Sequence, residues 1–153
     1  MENILIWILN IVSTGFLGLL VGALLAEGFI FVPYWKSLAA DVFFSLHKEY
    51  GPRLYRFFAP LTIVGTLFPI IAAITTLIID TKSHWSTVIA GILSALMVGI
   101  YLFYFKSANE KLAEAKMNSD ELAAELNSWD YWHKARVIIG IVAFIVSLIG
   151  LRG

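Results

Sequence analysis

Apolar and polar positions alternate along this chain on a scale of whole helices. Four apolar runs stand out, at about residues 4–32, 57–79, 86–105 and 133–151, and polar segments separate them. Crossing a bilayer core as a helix takes ~20 apolar residues, so each run is read as a transmembrane helix. The first run has Trp7 and Trp35 at its two ends. They are 28 residues apart, about 42 Å along a helix, which matches a bilayer including headgroups. Pro33 is expected to end or kink this helix.

Residues 37–50 read as an interfacial helix. Leu38, Val42, Phe43 and Leu46 share one side, and Lys36, Asp41 and Lys48 supply polarity. Gly51-Pro52 is expected to break it before the second span, which carries Pro60 and Pro69. Residues 80–85 are expected to form a short turn, which would make the second and third spans antiparallel. The helical pattern of the third span continues past the membrane through Lys116. Asn118 and Ser119, followed by Asp120 and Glu121, read as a turn and a new N-cap. From there the pattern runs unbroken into the last span. The fold expected is an all-α antiparallel four-helix membrane bundle, one domain over residues 1–153, with an interfacial helix and a cytoplasmic helical hairpin whose arms are each ~45 Å long.

Composition supports this class. The chain of 153 residues is 59% hydrophobic and 14% charged, with a mean hydropathy of +0.82. A net charge of zero gives no reason to expect nucleic acid. Cysteine is absent, which excludes disulfides, thiolate metal sites and dithiol redox motifs. Glu2 and the length of the first apolar run argue against a cleaved signal peptide, so the first span should remain as an anchor. Nine of the eleven Lys and Arg residues lie in residues 36–56 and 106–136, leaving only Lys82 and Arg152 on the other side. Cytoplasmic loops collect Lys and Arg. Both termini are therefore expected outside the cytoplasm, in the plasma (inner) membrane.

Two small-residue ladders, Gly18/Gly22/Ala26 and Gly91/Ala95/Gly99, allow close helix packing within the monomer or in a homo-oligomer. The last apolar stretch, Val137 to Leu151, is only 15 residues. Counting back from Arg152 puts Arg136 inside the membrane, ~10 Å from the midplane, and Glu27 falls at a similar depth on the same side. Intramembrane charges are rare and usually paired, so a Glu27–Arg136 ion pair is expected.

Trp129, His133, Arg136 and Gly140 form one stripe, which reads either as an interfacial anchor or as a face turned into the bundle. His47 lies on the interfacial helix, and His84 sits in the outer turn. His47 and His133, two imidazoles from different helices, could hold a haem or, with Glu27 or Glu110, a metal, although no short ligand motif is present.

These residues carry a family resemblance. The chain resembles the anthrone-oxygenase-like four-span membrane proteins, through Gly15, Gly18, Gly22 and Pro33 in the first span, Asn109 with Leu112 after the third, and Trp129-xxx-His133-xx-Arg136 before the last. The resemblance implies oxidation of an apolar substrate by molecular oxygen, with Asn109, His133 and Arg136 as the matching positions. Ser107-Ala108 departs from the Pro or Ile expected ahead of the Asn. The reading is thus a membrane oxygenase or oxidoreductase for an apolar, lipid-accessible small molecule. Its catalytic residues would be His133, Arg136 and Asn109, and Glu27, His47, Trp129 and Trp132 would bind the ligand. His47, His133 and Glu27 are the metal candidates if a metal is used. The alternative is a non-enzymatic protein that binds haem, metal, lipid or a partner helix.

The charge asymmetry makes a direct prediction. A single cysteine placed at position 118 of this cysteine-free chain should resist an impermeant thiol reagent in intact cells and react after lysis. Labelling in intact cells would reverse the orientation.

Overall fold

The computed structural model describes residues 2–79 and 85–151, all but a few of them helical, and no strand occurs among the described residues. Helix α1 spans Glu2–Ala26, and a π-helical turn at Glu27–Phe31 joins it to α2, Val32–Lys36. Helix α3 covers Ala40–Ile79. Helix α4, Trp85–Ile100, passes through a second π turn at Tyr101–Phe105 into α5, Lys106–Glu114. Helix α6 is Ser119–Gly150. Four continuous helical rods result, each long and apolar enough to cross a membrane. They pack in the ring order α1, α3, α4, α6. The expected turn at 80–85 falls largely on residues 80–84, which with His84 and Arg152 lie outside the described residues.

The expected break at Gly51-Pro52 does not occur, and no separate interfacial helix forms. Residues 40–79 are one helix with Pro52, Pro60 and Pro69 inside it. A proline removes one backbone donor and leaves the carbonyl four residues earlier without its partner. For Pro52 and Pro60 those carbonyls belong to Lys48 and Arg56, both exposed residues at the polar end of the rod. There, water or headgroups meet the demand and the helix need not stop. Pro33 likewise fails to end the first rod. It lies in the first turn of α2, directly after the π turn, where its missing donor costs least.

The N-terminal turns of α3 are instead held by packing. Phe43 is buried with Val32, Phe105, Ala108, Leu112, Leu122, Leu126 and Trp129 in one apolar cluster. The hairpin of α5 and α6 is therefore no bare extension, since α2 and the start of α3 share its core. Its tip is closed by Ala115 in a left-handed conformation (φ 52°) and by a capping box on α6. Asn118 Oδ1 accepts from the Asp120 and Glu121 amides, both at 3.0 Å, and Glu121 Oε2 accepts from the Asn118 amide at 2.9 Å.

Within the bundle, the small residues divide by face. A Cβ on Gly18 would stand 2.8 Å from the Phe144 ring, and one on Gly65 2.8 Å from the Leu20 side chain. A Cβ on Gly91 would collide with the Ala73 methyl and lie 2.9 Å from the Pro69 carbonyl, so α3 and α4 meet there almost backbone to backbone. Gly15, Gly22 and Gly99 face open space. Substituting Ala at Gly91 should force α3 and α4 apart and destabilise the bundle by about 1–3 kcal/mol. Substituting Ala at Gly99 should be neutral or raise stability by up to about 1 kcal/mol through helix propensity. Thermal unfolding of the two variants in one detergent compares them directly.

Candidate functional site: a buried Glu27–His133–Arg136 centre

The two π turns lie at the same end of the bundle and frame one polar centre. In a π turn the backbone bond runs from residue i to i−5. Here the Val32 amide donates to the Glu27 carbonyl, and the Lys106 amide to the Tyr101 carbonyl. Residues five apart then share a face, so Glu27 and Val32 both turn inward and are buried. On the second rod the π turn ends at Phe105, whose ring is also buried.

His133 of α6 is the centre of the group and is 0% exposed. Its Nε2 lies 2.9 Å from the Leu24 carbonyl oxygen. A carbonyl only accepts, so Nε2 carries the proton and donates it. That fixes the neutral tautomer and makes Nδ1 the acceptor. Arg136 Nη2 donates to Nδ1 at 3.3 Å, and Glu27 Oε2 lies 3.5 Å from both Nδ1 and Arg136 Nη2. The expected Glu27–Arg136 contact is present, as a long ion pair rather than a short bidentate one. Gly28 makes the approach possible, because a Cβ there would stand 3.1 Å from both Cδ2 and Nε2 of His133.

Aromatic rings close the remaining sides. The Arg136 guanidinium lies 4.3 Å from the Phe105 ring centroid, a cation–π contact. Trp129 stacks on His133 with centroids 4.9 Å apart and planes 14° from parallel. Asn109 Oδ1 accepts from the Trp129 indole N–H at 3.1 Å. Among the described residues Asn109 thus reaches His133 through Trp129. One polar atom is left over, because Arg136 Nε–H is buried and has no hydrogen-bond partner among the described residues.

The other proposed site residues lie apart from this centre. Trp132 stacks on Tyr104 and meets Phe103 edge to face. His47 stacks on Phe43, 5.4 Å between centroids, and borders a cleft of about 300 Å³. Phe31, Tyr34, Trp35, Phe43 and Tyr50 also line that cleft. No hydrogen bond, ion pair or ring contact joins His47 to His133 among the described residues. Nor do three His, Asp or Glu side chains converge there as a metal-binding group. The link from cleft to centre is a series of rings. Phe31 stacks on Trp35 at 6.2 Å, and Trp35 meets Trp129 edge to face at 5.7 Å.

Sequence reasoning missed Gly28, the Leu24 carbonyl and Phe105. A glycine directly after an intramembrane acid was the one available signal. It also missed Asp130, which accepts from Lys36 at 3.0 Å and Lys134 at 2.9 Å and so ties α2 to α6 beside the centre.

Fold and site together define a four-helix multi-pass membrane protein with a buried charged centre at one end of its bundle. The family model described as anthrone oxygenase matches residues 52–146, more than half of the chain, and the protein belongs to that family. No curated protein and no solved structure matches the chain. The matched region contains Asn109, Trp129, His133 and Arg136; Glu27, Gly28 and His47 lie outside it.

The ion pair can be tested by a double-mutant cycle. Glu27→Gln or Arg136→Leu alone should each cost about 3–5 kcal/mol, because each leaves one buried charge unpaired. The double variant should recover much of the loss. Simple additivity of the two effects would show that the residues are not coupled.

Proposed function

We propose that this protein is a membrane oxygenase or oxidoreductase acting on an apolar, lipid-accessible molecule with an acidic C–H or phenol. The observation that carries the reading is the free Nε–H of Arg136, a buried cationic donor left over beside a histidine of fixed tautomer. The Leu24 carbonyl holds His133 with Nδ1 as its basic nitrogen, which takes a proton once the Arg136 Nη2 bond to it is released. The Arg136 Nε–H is then free to bond the anion that forms, in a site from which water is excluded. Membership of the anthrone oxygenase family supplies the reaction class. In that class dioxygen oxidises the carbanion. One oxygen atom enters as a carbonyl, the other leaves as water, and the substrate loses its two methylene hydrogens.

The cleft beside His47 is the substrate's seat in this reading. It is concave and mostly aromatic, and it carries one imidazole and two phenols to orient a polar substituent. Phe31 and Trp35 form the wall between it and Trp129, so reaching His133 requires these rings to move. Asn109 positions Trp129 and acts on the centre through that ring. The end bearing Lys36, Lys111, Lys116 and Lys134 lies on the cytoplasmic side, as the positive-inside rule directs.

One observation favours a non-enzymatic reading. The Glu27–His133–Arg136 centre is closed, with His133 wholly buried, as suits a group that only locks α1 to α6. Oxygen uptake by the purified protein in nanodiscs, with a tricyclic anthrone as the probe, separates the two. Catalysis predicts uptake that falls about 10²–10³-fold on Arg136→Lys, the cost of losing one positioned donor. It predicts a fall of about 10²–10⁴-fold on His133→Gln. Activity that survives both changes in folded protein would remove the centre from the mechanism. Absence of uptake by wild-type protein, with full binding of the probe, would favour the binding reading.

A further inference from the structure

The other half of the bundle is also polar inside, and the proposed function makes no use of it. Asn10, Ser13 and Thr14 of α1, Thr76 of α3, and Thr87 and Ser94 of α4 are all buried. Specific contacts bring them to one end. Thr87 Oγ1 donates to Asn10 Oδ1 at 3.2 Å, across the ring of helices. Gly150 of α6 fits against the same level, where a Cβ would stand 3.0 Å from the Ser86 hydroxyl and 3.3 Å from that of Thr87. The close contact of Gly91 with Ala73 places Thr76, three residues further along α3, beside the start of α4. Ser94 is seven residues deeper than Thr87, two turns or about 10 Å. Hydroxyls from three helices thus line a layer about 10 Å deep.

A hydroxyl in an apolar helix commonly bonds a backbone carbonyl three or four residues back. Thr66 does so with the Thr62 carbonyl at 2.7 Å, and Ser147 with that of Phe144 at 2.7 Å. Ser13, Thr14, Thr76 and Ser94 do not. Their oxygens are buried and bond to no described residue. Ser94 is 0% exposed. Leaving four such groups unmet in hydrocarbon is costly, and their clustering points to a common partner. None of the four carries a charge, which argues against an ion. A hydroxyl both donates and accepts, and the small neutral molecule that matches it in both roles is water.

The layer has a floor. Leu17 and Ala143, level with Ser94, begin one apolar cluster that continues down to Val21, and Leu20, Leu24 and Met97 form another below it. Together they separate Ser94 from His133. We propose that the end of the bundle containing Asn10 and Thr87 is a hydrated chamber, in which Ser13, Thr14, Thr76 and Ser94 bind ordered water above an apolar floor that keeps it from the charged centre.

The chain has no cysteine, so the proposal can be tested by thiol chemistry on the full chain in nanodiscs. Methyl methanethiosulfonate reacts with the thiolate, which forms beside water and is suppressed in apolar surroundings. Ser94→Cys and Thr14→Cys should react at least about tenfold faster than Leu20→Cys in the floor, the ratio given by one decade of thiolate fraction. Equal, slow reaction of all three overturns the proposal. If a cysteine variant does not fold, Thr76→Val decides. A lower Tm supports a water that has lost its partner, and a higher Tm shows a hydroxyl that was stranded in a dry core. Neither readout depends on oxygenase activity, so this proposal and the catalytic one stand or fall separately.

Discussion

A guanidinium and a carboxyl group held inside a membrane bundle are the constraint around which this fold is arranged. Charges at that depth persist only when paired and screened from lipid. Glu27 and Arg136 pair at 3.5 Å, and the same guanidinium nitrogen donates to His133 Nδ1 at 3.3 Å. Three local features make the arrangement possible. The π turn brings Glu27 to the interior, Gly28 lets the imidazole lie against α1, and Gly140 lets α6 approach α1 and α4. At Gly140 a Cβ would stand 3.1 Å from Val21 and 3.3 Å from Met97. A bulkier residue at either glycine would move His133 or Arg136 away from its partners, whatever the ligands of the centre.

The helices also show how a membrane protein uses residues that break helices in water. Prolines at 33, 52 and 60 each remove a backbone bond, yet each lies where a π turn or polar surroundings absorb the loss. The rods therefore stay continuous from the bundle into the polar head, and position is transmitted along them. Phe43 and Leu112 pack in the same cluster as Trp129, so the head's core is joined to the ring that stacks on His133. The head is thus part of the support for the centre.

Much of this was legible in the sequence, because hydrophobic periodicity and charge depth are long-range signals. Four apolar runs gave the four rods. The short last run, with Arg136 drawn inside it, pointed to the pairing with Glu27. The Asn118 cap was readable from residue chemistry alone. What escaped depended on tertiary context. Gly51-Pro52 looks like a break because local propensity says so, and only the burial of Phe43 against α5 and α6 shows what holds the helix through it. The π turns have no composition signature. A shared site of His47 and His133 rests on both lying near one interface, and among the described residues His47 stacks on Phe43 while His133 stacks on Trp129. The resemblance brings Asn109 and His133 to one site. The structure connects them through an indole, a link no spacing rule would give.

The match to the family covers only part of the centre, which bears on how it works. Residues 52–146 contain the imidazole, the guanidinium and the Asn–Trp support. The first rod contains the carboxylate, the carbonyl that fixes the tautomer and the glycine that admits the ring. Taken alone, the matched helices would leave Arg136 without a countercharge and His133 free to flip between tautomers. The chemistry of His133 is therefore set from outside the segment that carries it. A centre divided in this way is sensitive to whatever moves the first rod. The Phe31–Trp35 wall of the cleft belongs to that rod, so the cleft and the Leu24 carbonyl that holds His133 share one element.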